Sequence, residues 1–121
     1  MTGIDDTVGR RAEAAVVQYL EREGYAIVGT NLRLGRLELD VVARHGSTVV
    51  VVEVRSRGAG AWTTGFGSID AKKRQRIRRA GERLWQRRYR NDPSVARMRF
   101  DAASVTFEAG EACVDYAIAA F

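Results

Sequence analysis

The chain has 121 residues, 45% of them hydrophobic and 29% charged, with a formal net charge of +5 and a pI near 10. That is enough for one core spanning 1–121, too apolar for a disordered chain, and without the long apolar run that a membrane span needs. Met1 to Asp6 is acidic rather than basic and then apolar, so no secretory signal is visible and the cytoplasm is the expected location. One cysteine, Cys113, and one histidine, His45, are too few for a zinc site or a Cys–His nucleophile.

Thr7 to Glu23 reads as a helix, with Val8, Ala12, Ala15, Val16, Tyr19 and Leu20 as its buried stripe and Gly24 as its stop. Tyr25 to Arg33 reads as a first strand. Leu37 to Arg44 and Thr48 to Arg57 are two more, joined by a tight turn. The stretch 58–67 is a glycine-rich loop whose Trp62 and Phe66 suit packing over a sheet end better than stacking on bases. Ser68 or Asp70 can cap a second helix, which Asn91-Asp92-Pro93 ends. Ala96 to Phe107 and Ala112 to Ala119 close the chain as strands. The order is αβββαββ, without repeats or a linker, and by itself this pattern supports an α/β sheet with flanking helices.

The hairpin strands are the most informative segment. Four valines, Val49 to Val52, run straight into Glu53. A carboxylate at the end of a buried strand is unfavourable unless something pairs with it. Alternation puts Glu38 and Asp40 on one face, and Glu53 and Arg55 on one face. With a two-residue turn at His45-Gly46, Arg44 faces Ser47, Asp40 faces Val51 and Glu38 faces Glu53. Three carboxylates then converge, and like charges directly opposite call for a cation, a hard divalent metal and magnesium above all. The solvent-facing side of a half-exposed sheet, with Arg55 as an ordinary cross-strand partner, fits the same spacing.

The second helix carries most of the charge. Between Lys72 and Arg90 lie ten basic residues and one acid, Glu82, while Ile77, Ala80 and Leu84 recur at helical spacing with Trp85 beside them. A solvated helix face normally mixes signs, whereas a face of nearly one sign suits a phosphate backbone. Lys72, Lys73, Arg76 and Arg79 on this helix, with Arg57 at the strand end, are the candidate nucleic-acid contacts.

Asp40 followed by Glu53-Val54-Arg55 resembles the D…(D/E)-x-K signature of restriction-endonuclease-like nucleases. Leu37-Glu38-Leu39-Asp40-Val41-Val42-Ala43 is similar to the G-E-I-D-L-I-A segment of the YraN-type family of predicted endonucleases, and Val52 to Arg57 to its V-E-V-K-T-R. Ala12-Glu13 with Tyr19-Leu20 and Gly24-Tyr25, Asn31-Leu32-Arg33, the lysine at 72 or 73, and Arg99-Phe100-Asp101 resemble further family motifs in the right order along nearly the whole chain. Two positions depart from the pattern: Arg55 stands where the family has lysine, and Ala12 where it has glycine.

The resemblance implies a restriction-endonuclease-like core, a central mixed β-sheet flanked by two helices, with one strand added. It implies a metal-dependent nuclease acting on DNA, structure-selective at branches, flaps or ends, and a homodimer if two strands are cut symmetrically. Asp40 and Glu53 would hold Mg2+ or Mn2+, with the Val54 carbonyl and Glu13 as further ligands and Glu38 as an accessory residue. Arg55 could stabilise charge, yet arginine is a poor general base. Either a metal-activated water needs no protein base, or the lysine role has moved to the second helix; plain basic residues of a basic helix are the simpler account of Lys72 and Lys73. The alternative function is a nucleic-acid-binding protein on the same fold with impaired catalysis.

Overall fold

The structure, a computed structural model, describes residues 4–57 and 70–121, with the backbone alone for 4–7 and Arg57. Helix α1 spans Ile4–Arg22, strands β1 Ala26–Leu34, β2 Leu37–His45 and β3 Thr48–Arg57. Helix α2, Ala71–Leu84, runs on into one wide π turn over Trp85–Tyr89, and β4 Arg97–Glu108 and β5 Glu111–Ala117 complete the chain. The expected order αβββαββ is the order found. The loop 58–67 with Trp62 and Phe66, and Ser68, lie outside the described residues.

The five strands form one sheet in sequence order. Every neighbouring pair is antiparallel except β3 and β4, which run parallel because α2 carries the chain back across the sheet. This mixed sheet between two helices is a restriction-endonuclease-like core with a fifth strand at its edge.

β3 is buried on both faces, which explains its unbroken valine run. Val50 and Val52 pack toward α1 with Ala12, Val16 and Leu20, three residues at four-residue spacing. Val49 and Val51 pack toward α2 with Ile77, Ala80 and Leu84. α2 lies close to the sheet because position 81 is glycine: a Cβ there would meet Phe100 Cζ at 2.7 Å. Asp70 caps α2 by accepting from the Lys73 backbone N–H at 2.8 Å.

The hairpin register differs from the expected one by two residues. His45 pairs with Thr48 and Val41 with Val52, so the turn residues are Gly46 and Ser47 rather than His45 and Gly46. Gly46 takes the first turn position with φ +61°, a backbone conformation that glycine adopts freely. Asp40 therefore does not face Val51, nor Glu38 Glu53; one step beyond Val41–Val52, where the pairing ends, this register brings Asp40 next to Glu53.

Candidate metal and phosphate site

The ladder between β2 and β3 stops at Val41–Val52 although β2 begins at Leu37 and β3 runs on to Arg57. Beyond that pair β2 stays with β1 and β3 with β4. The alternation of β2 is also broken here: Leu39 and Val42 both join the α2-side core, which a regular strand would not allow. The strands thus part, and Asp40 and Glu53 stand at the fork. A cleft of about 360 Å³ opens there, lined by Glu13, Arg36, Glu38, Asp40, Glu53, Val54, Lys73 and Arg76 among others.

Asp40 and Glu53 lie side by side. Asp40 Oδ2 accepts the Val54 backbone N–H at 2.9 Å, so the strand that carries Glu53 also fixes its neighbour. Burial, then the hydrogen bond and charge of Glu53, push the Asp40 carboxyl up to about 8; the Val54 N–H opposes this and the Glu13 carboxylate adds to it. Glu53 is 5% exposed. Its Oε2 lies 2.8 Å from Lys73 Nζ. The ammonium's approach is an ion-pair contact without hydrogen-bond geometry, and no hydrogen bond to this oxygen forms among the described residues. A buried carboxyl oxygen that no hydrogen bond satisfies, beside a second carboxyl that resists ionisation, suits an added cation.

Glu13 reaches the cleft from α1. Its Oε1 accepts from Asn31 Nδ2 at 2.9 Å, and Asn31 stands in β1 with φ +50°, a conformation asparagine tolerates. The N-x-R segment therefore contributes a residue that positions Glu13. Glu38 sits on the rim, half-exposed and 3.7 Å from Arg33, its partner across β1–β2. It balances Arg33 rather than Arg55. Among the described residues no three of His, Cys, Asp and Glu gather closely enough to hold an ion as they stand, so the expected triple convergence reduces to the Asp40–Glu53 pair with Glu13 nearby. Arg55 follows Glu53 on the same face of β3 by alternation, half-buried, and does not line the cleft.

The two lysines part company. Lys73 points into the cleft, whereas exposed Lys72 joins Arg76, Arg79, Asp70 and Gln75 around a shallow concavity on the outer face of α2. Arg76 lines both. The side chain of Arg57 lies outside the described residues. Sequence reasoning left Lys73 among the phosphate contacts, yet a signal was present: Lys73, Ile77, Ala80 and Leu84 share one helical stripe. It also missed Arg36, which enters the cleft from the β1–β2 turn.

Arg99-Phe100-Asp101 does not belong to this cleft. Asp101 is 0% exposed and accepts from Arg99 Nε at 2.9 Å, Arg99 Nη2 at 2.8 Å, Tyr116 Oη at 2.6 Å and the Ala119 N–H at 2.8 Å. Arg99 also donates to Tyr25 Oη at 2.8 Å. The Asp101 carboxylate beside it holds the Arg99 guanidinium charged, and burial followed by the hydrogen bond to Asp101 raises the Tyr116 hydroxyl far above its usual range. This satisfied network ties β5 and the chain after it to the core.

Among the described residues no helix is long and apolar enough to cross a membrane. The profile of the uncharacterised protein family UPF0102 matches residues 12–105. A UPF0102 protein of Sorangium cellulosum is 56% identical over 115 residues, covering 94% of this chain and 80% of its own length. One from Pseudomonas aeruginosa is 42% identical over 105 residues, with 85% and 81% covered, and one from Desulfitobacterium hafniense 36% over 99 residues, with 81% and 79% covered. The family match takes in Glu13, Asp40, Glu53 and Lys73 alike, and the chain belongs to the uncharacterised protein family UPF0102, the YraN-type family that its hairpin motifs resemble.

Proposed function

We propose that this protein is a metal-dependent nuclease that hydrolyses phosphodiester bonds in DNA, reading backbone and shape rather than base edges. The observation that carries this reading is the Asp40–Glu53 pair at the fork of β2 and β3, with a buried carboxylate oxygen that no hydrogen bond satisfies. Asp40 and Glu53 would hold Mg2+ or Mn2+, with Glu13 and the Val54 carbonyl completing the set. A divalent ion at such a site activates water and draws charge from the phosphoryl group. Glu13 is steered by Asn31, and Asp40 by the Val54 N–H.

Arg36 from the β1–β2 turn and Arg76 from α2, both lining the cleft, would hold the phosphates of the backbone beside the scissile one. Lys72 and Arg79 extend the phosphate track along α2. Lys73 supplies the lysine that position 55 lacks, since it is the one lysine in the cleft. Arg55 contributes positive charge beyond the lining and no base. No element of the described fold presents a helix to a groove for base readout, which favours branched, flapped or end-containing DNA, cut by a pair of chains where two strands are severed.

The test is cleavage of labelled branched, flapped, single-stranded and duplex DNA with magnesium or manganese. Asp40→Ala abolishes cutting, Lys73→Met lowers it at least about 100-fold by the scale of a removed catalytic group, and Arg55→Lys stays within a few fold of wild type. DNA binding without cutting in any metal, unrescued by Arg55→Lys, would establish the second reading, a binding protein with impaired catalysis, which the arginine at 55 favours.

A further inference from the structure

Lys73 poses a question that its assignment as the missing lysine does not answer. Its Nζ lies 2.8 Å from Glu53 Oε2, the very oxygen that a cation between Asp40 and Glu53 would bind. An ammonium and a divalent ion cannot both hold that oxygen closely, because their charges repel at such distances. The lysine is free to leave. Its side chain is 36% exposed, against 6% for Glu53, and it projects from the first turn of α2 at the cleft mouth. What must be given up is one ion-pair contact at 2.8 Å, which a divalent cation on the same oxygen replaces with a larger charge.

We infer that Lys73 is an internal competitor for the metal: it neutralises Glu53 until a divalent cation takes Oε2, and the displaced ammonium then stands over the cleft where the scissile phosphate sits. The inference rests on the metal-dependent reading above and adds an order of events to it. Metal loading and delivery of the lysine become one exchange, so the positive charge reaches the substrate position only when the ion is in place. An arginine at position 55 can stand in such an enzyme without loss, because the mobile cation comes from α2.

The chain makes the exchange directly observable, since Lys72 and Lys73 are its only lysines. Lysine-selective 13C labelling yields two Cε signals, with exposed Lys72 as the internal control. Titrating Mg2+ into the full chain without DNA should shift the Lys73 signal in step with metal binding and leave Lys72 in place, and the shift should vanish in Asp40→Asn. Calorimetry supplies the second readout. Lys73→Met should bind Mg2+ at least tenfold more tightly than wild type, and Lys73→Arg about as weakly as wild type. Should Mg2+ bind wild type and Lys73→Met equally, with the Lys73 signal unmoved, the exchange is wrong while the metal site stands. Binding by neither protein removes the metal reading itself and this inference with it.

Discussion

Replacing Asp40 by asparagine removes one of two carboxyls that the fold forces together. The amide keeps an acceptor for the Val54 N–H and gains a donor for Glu53, so shape and hydrogen bonding survive and only the capacity to ionise is lost. In the folded protein the Asp40 carboxyl titrates near 8, against about 3.9 in an unfolded chain. The folded state therefore holds this proton more tightly, and the associated stability is fully present below about pH 4 and lost as pH rises towards 8. At pH 7 some three of those four units have been crossed, and at about 1.4 kcal/mol per unit the penalty reaches up to about 4 kcal/mol. Asp40→Asn escapes it. In EDTA, thermal unfolding of the variant should match wild type near pH 4 and exceed it increasingly up to pH 8. At about 4 °C per kcal/mol for a chain of this size, the gap should reach roughly 15 °C at pH 7 and widen further by pH 8. Magnesium should then stabilise wild type and leave the variant unchanged, since a bound ion relieves the same repulsion. An advantage that stays flat from pH 5 to pH 8, or a variant less stable than wild type at pH 8, would refute the reasoning.

Other outcomes follow from single contacts. Asp101→Asn strips the charge partner from Arg99 inside a buried network and should lower stability by about 3 kcal/mol, read as a fall in the urea midpoint, with no selective effect on metal binding. Asn31→Gly keeps the left-handed backbone at that position but frees Glu13; stability should hold within about 1 kcal/mol while cleavage and metal affinity fall, and unchanged affinity would remove Glu13 from the ligand set. Arg76→Glu with Arg79→Glu should weaken binding to all duplex sequences alike and flatten the salt dependence by about 0.9 in log–log slope per lost phosphate contact, measured by fluorescence anisotropy.

Much of this was legible from residue order. Alternation and helical spacing located both helices and all five strands, and β3 runs over the residues expected, Thr48–Arg57. Asp40 and Glu53 were readable as a pair only through the resemblance of Asp40 and Glu53-Val54-Arg55 to the D…(D/E)-x-K signature, since hairpin counting set Asp40 opposite Val51 and Glu38 opposite Glu53. The register was not readable, since a glycine serves at either position of a two-residue turn, and a shift of two preserves which residues share a face. Glu38 was therefore assigned to a site that it only borders. Lys72 and Lys73 were indistinguishable as composition, yet about 100° of helix rotation separates a surface charge from one aimed at Glu53. Asn31's hold on Glu13 left no trace in spacing, because it joins residues 18 apart through a side-chain amide.

The single parallel pairing has a consequence for how the chain reaches its fold. Val49 to Val52 find their β4 partners, Met98 to Asp101, only after α2 has crossed the sheet, 49 residues further on. Until then a run of four valines with high strand propensity lies exposed along one edge, the sort of segment that seeds aggregation. Glu53 closes that run and Arg55 follows two residues later. Charges flanking an unavoidable apolar strand keep nascent chains apart, so the carboxylate at the fork of β2 and β3 also guards the strand while its partner is still missing. Glu53→Leu should accordingly lower the refolding yield with rising protein concentration, even where the refolded fraction is stable.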